Sequence, residues 1–202
     1  MTDLKQEDPS RIAILVVDVQ PVFIGLPLYP PVDGVLHRLK TFVSRARAAG
    51  ALIVDIRIAI PKERFTDVWE AQYGVKAPNF AQLIAPDSPE SQFHPDFAPE
   101  PGDLVVVKTR YSAFVNTTLE STLRSRGVTT VVVAGLTADV CVGSTARDAF
   151  QREFHVITLS DCTAETTQQL YESCLGTLQG CFGRVMTSDE LLALWDVGVQ
   201  VP

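Results

Sequence analysis

Histidine is scarce and scattered in this 202-residue chain. His37, His94 and His155 form neither an HxH nor an HxxxH pair, which leaves a zinc site little to build on. No Lys/Arg cluster stands out and the formal net charge is −7, so a protein that grips nucleic acid or an acidic membrane surface is not expected. No GxGxxG follows the first apolar run and no GxxxxGK[ST] occurs, which removes the usual support for nucleotide binding. Every apolar run is too short to span a bilayer. The four cysteines, Cys141, Cys162, Cys174 and Cys181, lack CxxC spacing, and the opening MTDLKQEDPS has neither the basic nor the apolar region of a secretory leader. The expectation is a cytoplasmic protein with free thiols, no metal and no cofactor.

What is present is an ordinary globular composition, 46% hydrophobic and 20% charged, in a length that suits one α/β domain over residues 1–202. Short runs rich in β-branched residues read as buried parallel strands at Ile12–Val19, Ala51–Ile58, Asp103–Lys108, Thr129–Ala134, His155–Leu159 and Arg184–Met186. Between them lie helical patterns. The first carries Val35, Leu36, Leu39, Phe42, Val43 and Ala46 and closes at Gly50. The second opens on TTLE, a capping box at Thr117–Glu120, and ends at Gly127. Others run over about 139–152, about 165–179 and from Ser188. The stretch from about 61 to 101 is a proline-rich, lid-like excursion with short helical pieces, for example around Asn79–Ile84. Its aromatics Phe65, Trp69, Tyr73, Phe80 and Phe93 argue that it packs.

Alternation of strand and helix predicts a doubly wound three-layer sandwich. Its six-stranded, mostly parallel sheet should have an order near 3-2-1-4-5-6. Ligands of such folds bind beyond the carboxyl ends of the strands, where the winding reverses. Three reactive residues fall on that rim: Asp18, Lys108 and Cys141.

Each has an ordinary reading beside a chemical one. Cys141 is either a small packing residue or a thiol near a helix start, where unpaired N–H groups favour thiolate. Asp18 is either a turn cap or a proton acceptor for that thiol. Lys108 is either a surface lysine or, after the apolar LVVV, a partly buried ammonium that wants Asp18 as its counter-ion. Cys162, Cys174 and Cys181 lack such a setting and read as packing residues, Cys162 in a loop. His94 is the one histidine in a plausible lid and supplies a less supported Cys–His alternative.

LVVDVQ with Asp18, VVKTRYSAF with Lys108 and AGLTADVCV with Cys141 resemble, in this order, the isochorismatase-like cysteine hydrolases. CVGSTARDAF and LSDCTAE are similar to the family's downstream segments. That group includes nicotinamidases and the N-carbamoylsarcosine, ureidoacrylate and biuret amidohydrolases. The resemblance implies an Asp18–Lys108–Cys141 triad and a cis peptide before Thr137. It also implies an oxyanion hole from the N–H groups of Thr137 and Cys141, and a homodimer or homotetramer. The expected activity is hydrolysis of a C–N bond in a small amide or ureido compound through a thioester.

Two departures refine this. The segment VDIRIAIPKERF lacks the histidines with which nicotinamidases hold a metal, and DVQPVF has Val22 where the common pattern has a second acid. Gln20, Phe23, Arg57, Trp69, Tyr111 and Phe114 are candidate substrate-binding residues, with Arg57 or Arg110 available for a carboxylate. Two other classes remain: vinyl-ether hydrolysis with Asp18 as acid, and a non-catalytic doubly wound binding module.

Overall fold

A computed structural model describes residues 8–198, with backbone only for 196–198; the polar segment 1–7 lies outside the described residues. Six strands form one all-parallel sheet in the order β3-β2-β1-β4-β5-β6. They are β1 (Ile12–Val17), β2 (Leu52–Ile58), β3 (Leu104–Lys108), β4 (Thr130–Leu136), β5 (His155–Ala164) and β6 (Arg184–Met186). The helices are α1 (Pro21–Ile24), α2 (Val32–Ala48), α3 (Asp67–Tyr73), α4 (Phe80–Leu83), α5 (Leu119–Ser125), α6 (Gly143–Gln151), α7 (Gln168–Cys181) and α8 (Ser188–Gly198).

Alternation along the strands divides the core into two layers. Ala13, Leu15 and Val17 of β1 pack toward Leu119 and Leu123 of α5, Ala146 and Ala149 of α6, and Cys174 and Leu178 of α7. Ile12, Ile14 and Val16 face Leu39 and Phe42 of α2 and Leu191 and Trp195 of α8. A strand buried on both faces must read as a continuous apolar run, which is why IAILVV was legible. The winding reverses between β1 and β4, so the chain leaving each opens a crevice at the carboxyl edge.

Three local expectations are corrected. β1 stops at Val17, because Asp18 turns into the left-handed region with φ 52°. β5 continues to Ala164: between the paired positions Val133↔Thr158 and Gly135↔Thr163 it advances five residues against two on β4, so Cys162 is buried in a strand and not in a loop. The capping box does not close. α5 begins after Thr118, and Thr117 Oγ1 accepts from Leu119 N–H while donating to Ala113 O. Glu120 pairs instead with Arg124 and Arg152. Those two guanidiniums offer stronger partners than one backbone amide.

Gly135 fixes the crevice. Its φ is +121°, and a Cβ there would stand 2.0 Å from Val17 O. Gly135→Ala should lower stability by roughly 4 kcal/mol or more, read as a drop in the urea midpoint, since both backbone strain and overlap act at once. A midpoint within error of wild type would show that β1 and β4 do not need this close approach.

On the α2 side, Asp55 of β2 is 5% exposed and its Oδ2 has no hydrogen-bond partner. Burial, then the Asp103 carboxylate, lift its pKa to about 7. Arg47, which pairs with Asp103 at 2.8 Å and Glu100 at 3.0 Å, only partly offsets this. The folded chain therefore keeps a proton that the unfolded chain releases above its lower pKa, so stability falls as pH rises from about 4 to about 7. Asp55→Asn should flatten that fall when Tm is compared at about pH 5 and about pH 8. An equal fall in both proteins would remove Asp55 as the cause.

Candidate active site

Three elements deliver the reactive groups. Asp18 follows β1, its N–H on Ile56 O at 2.9 Å. Lys108 is the last residue of β3, aimed inward by the strand alternation. Cys141 lies in a π-helical turn, Ala138–Val142, that leads from the cis Leu136–Thr137 peptide into α6. Asp18 and Lys108 are fully buried and Cys141 is 3% exposed.

Lys108 Nζ joins them. It stands 2.7 Å from Asp18 Oδ2 and donates to Cys141 Sγ at 3.3 Å and to Arg110 O at 3.2 Å. Two of the ammonium's three N–H donors thus go to the sulfur and the carbonyl, and its charge faces Asp18 Oδ2. The Asp18 contact is an ion pair, and neither carboxylate oxygen has a hydrogen bond of ordinary geometry.

Burial raises the Asp18 carboxyl above the ordinary aspartate range; the Lys108 ammonium pulls it back without cancelling the rise. Asp18 is thus a stronger proton acceptor than a solvated aspartate. Burial would lower Lys108, but its anionic neighbour Asp18 overrides this and, with the Cys141 sulfur as acceptor, holds the lysine above its usual value. Burial, then the Asp18 charge, pushes the Cys141 thiol well up against the opposing Lys108. Desolvation outweighs the ammonium, so the resting group is S–H beside a base.

Next to this pocket runs an open groove of about 900 Å3, lined by Trp69, Tyr73, Arg110, Tyr111, Ser144 and Arg147 among others. Tyr73 and Trp69, four apart on α3, stack at 5.6 Å, and Tyr73 meets Tyr111 hydroxyl to hydroxyl. Burial, Tyr111 and Cys141 together push the Tyr73 phenol upward. Tyr73 thus lines the groove with its hydroxyl on that of Tyr111. The Arg110 guanidinium lies over Trp69 at 5.6 Å.

The candidate substrate residues separate. Trp69 and Tyr111 line the groove. Phe114 does not; it packs in the core at 6.0 Å from Phe154. Gln20 is fully buried and spends its amide on backbone: Oε1 accepts Ile58 N–H, and Nε2 donates to Ile58 O and Ser91 O. Arg57 donates to Ser91 O and covers Phe93, while Phe23 packs against Ile58 and Val35 clusters. His94 caps the turn Pro95–Phe97 by accepting Asp96 N–H. Cys162 and Cys174 are buried, as packing residues are, but Cys181 is exposed because it ends α7. Sequence reasoning noted Tyr73 only as an excursion aromatic; its i, i+4 spacing from Trp69 was the available signal. It gave no role to Glu165, which reaches Asp139 from 26 residues away, or to Arg147, which pairs with the same Asp139.

Among the described residues no group of three or more His, Cys, Asp or Glu is arranged to hold a metal, and no helix is long and apolar enough to cross a membrane.

The isochorismatase domain model matches residues 12–190, so the chain belongs to the isochorismatase family. The ureidoacrylate amidohydrolase RutB of Methylobacterium radiotolerans is 35% identical over 207 residues, covering 88% of this chain and 77% of that one. A cysteine hydrolase from Pseudomonas syringae pv. phaseolicola superimposes with a TM-score of 0.84 at 28% identity, covering 95% of both chains. The N-carbamoylsarcosine amidase of Thermoplasma acidophilum does so at 0.73 and 27%, covering 89% of this chain and 97% of that one.

Proposed function

We propose that the protein hydrolyses the C–N bond of a small amide or ureido compound through a thioester on Cys141. The observation that carries this is the sealed Lys108 ammonium, 2.7 Å from Asp18 and 3.3 Å from the Cys141 sulfur. The named activities of the ureidoacrylate and N-carbamoylsarcosine relatives support the same bond type.

Asp18 takes the thiol proton as sulfur forms its bond to the carbonyl carbon. Lys108 neutralises charge on both, and the N–H groups of Thr137 and Cys141 receive the oxyanion. Asp18 then hands the proton to the leaving nitrogen as the C–N bond breaks, releasing ammonia or an amine. Water attacks the thioester, its proton passing to Asp18. The C–S bond breaks, and sulfur recovers the proton from Asp18.

The groove supports a substrate that carries a carboxylate. Trp69, Tyr73 and Tyr111 offer flat apolar faces, and Arg110 stands among them, the only described hydrogen bond of its guanidinium going to the neighbouring Thr109 O. Ammonia release from a panel of neutral amides and ureido acids tests both levels. Turnover of at least one class is expected, and no turnover of either would contradict the proposal. Arg110→Ala should raise KM about tenfold or more for the acids and leave the neutral amides unchanged. An equal effect on both would reject the carboxylate contact.

A further inference from the structure

The turn that carries Thr137 and Cys141 is pinned from two sides by residues outside the triad. Its π bond runs from Val142 N–H to Thr137 O at 3.1 Å. The first N–H groups of a helix have no intrahelical acceptor. One of them, on Asp139, donates to Glu165 Oε2 at 2.9 Å. Glu165 is 2% exposed, and its Oε1 accepts Thr166 N–H at 2.7 Å and the Thr166 hydroxyl at 3.0 Å. Its own backbone exchanges two hydrogen bonds with Tyr29, at 2.6 and 2.8 Å, so the carboxylate is held from both ends. From the other side Cys174 Sγ donates to Ala138 O at 3.2 Å. Gly143 closes the gap: a Cβ there would stand 2.7 Å from Ala138 O and 3.3 Å from Cys174 Sγ.

A carboxylate is costly to bury, and a neutral residue would follow β5 more simply. Of the bonds its oxygens make, the one that leaves its own segment reaches the amide two residues before Cys141. We infer that Glu165 is a positioning residue for the oxyanion-binding turn. By fixing Asp139 N–H it keeps the N–H groups of Thr137 and Cys141 aimed at the acyl oxygen. This rests on the thioester reading, and it predicts an effect on steps that create an oxyanion, with none on simple alkylation of the thiol.

Two reagents separate these on the full chain, each followed on the Cys141 peptide. Iodoacetamide alkylates by displacement: the S–C bond forms, iodide leaves, the thiol proton goes to base, and no oxyanion arises. Propionaldehyde adds the thiol across C=O. Sulfur bonds to carbon, the carbonyl electron pair moves to oxygen, and oxygen takes the thiol proton to give a hemithioacetal.

In Glu165→Ala, alkylation should stay within about twofold of wild type, while aldehyde protection of Cys141 should weaken about tenfold or more. Amide kcat should fall about as far, with KM little changed. Glu165→Gln keeps a carbonyl acceptor and should recover most of the loss. Glu165→Asp keeps the charge but is one methylene short, so it should not; that pair decides the matter if the alanine variant does not fold. Wild-type aldehyde affinity and wild-type kcat per alkylatable thiol in Glu165→Ala, or in Glu165→Asp where that pair decides, would overturn the role. So would an equal loss toward both reagents. A wild-type Cys141 inert to both reagents would instead sink the thioester reading itself.

Discussion

Cys141→Ala should lower amide or ureido turnover by at least ~10⁴-fold, since removing a nucleophile that acts as one unit with its base removes nearly the whole catalytic gain. The substitution takes one sulfur from a side chain that is 3% exposed, beside Ala138, Val142 and Ala146 in a well-filled layer. It leaves the ion pair between Lys108 and Asp18 intact at 2.7 Å. Unfolding should therefore stay close to wild type, within about 1–2 kcal/mol. Denaturation and activity read together decide this. A folded variant that retains turnover within tenfold of wild type would exclude covalent catalysis by this thiol.

Lys108→Met carries the second largest effect, through a different route. Methionine is similar in length and fills the same fully buried space, but it leaves Asp18 without its counter-ion. A buried carboxylate that loses its partner takes up a proton, because holding the charge unpaired costs more. Asp18 already lies above the ordinary aspartate range by burial, and the lysine is what restrains it. The expected result is a loss of about 10³-fold or more in kcat at neutral pH. The acidic limb of the pH–rate profile should move upward, with a smaller effect on stability than an unpaired charge would cause. An unmoved acidic limb would show that Lys108 does not set the protonation of Asp18.

The sequence made the frame legible wherever one side-chain type was forced by burial. IAILVV and TVVVAGL are apolar on both faces of a central strand, and their order with the helices specifies 3-2-1-4-5-6. Lys108 was legible because a charged group ending an inward-pointing apolar run needs a partner, and Asp18 is that partner. The protonation of Cys141 was not legible, since it depends on how much water the fold excludes. Nor was the groove. Phe114 and Tyr111 lie three residues apart in one motif, yet one enters the core beside Phe154 and the other faces Trp69. Gln20 looked available for a substrate until its amide met Ile58 and Ser91, 38 and 71 residues away. Such partners are set by topology and leave no local pattern.

Partition of the acyl group tests the central claim most directly. Substrates sharing one acyl group but differing in leaving amine would be turned over with hydroxylamine present, and the ratio of hydroxamate to free acid measured. A thioester common to all of them predicts one constant ratio whatever amine departs. A ratio that follows the leaving amine would mean that water and hydroxylamine attack the substrate itself, and that Cys141 never carries the acyl group.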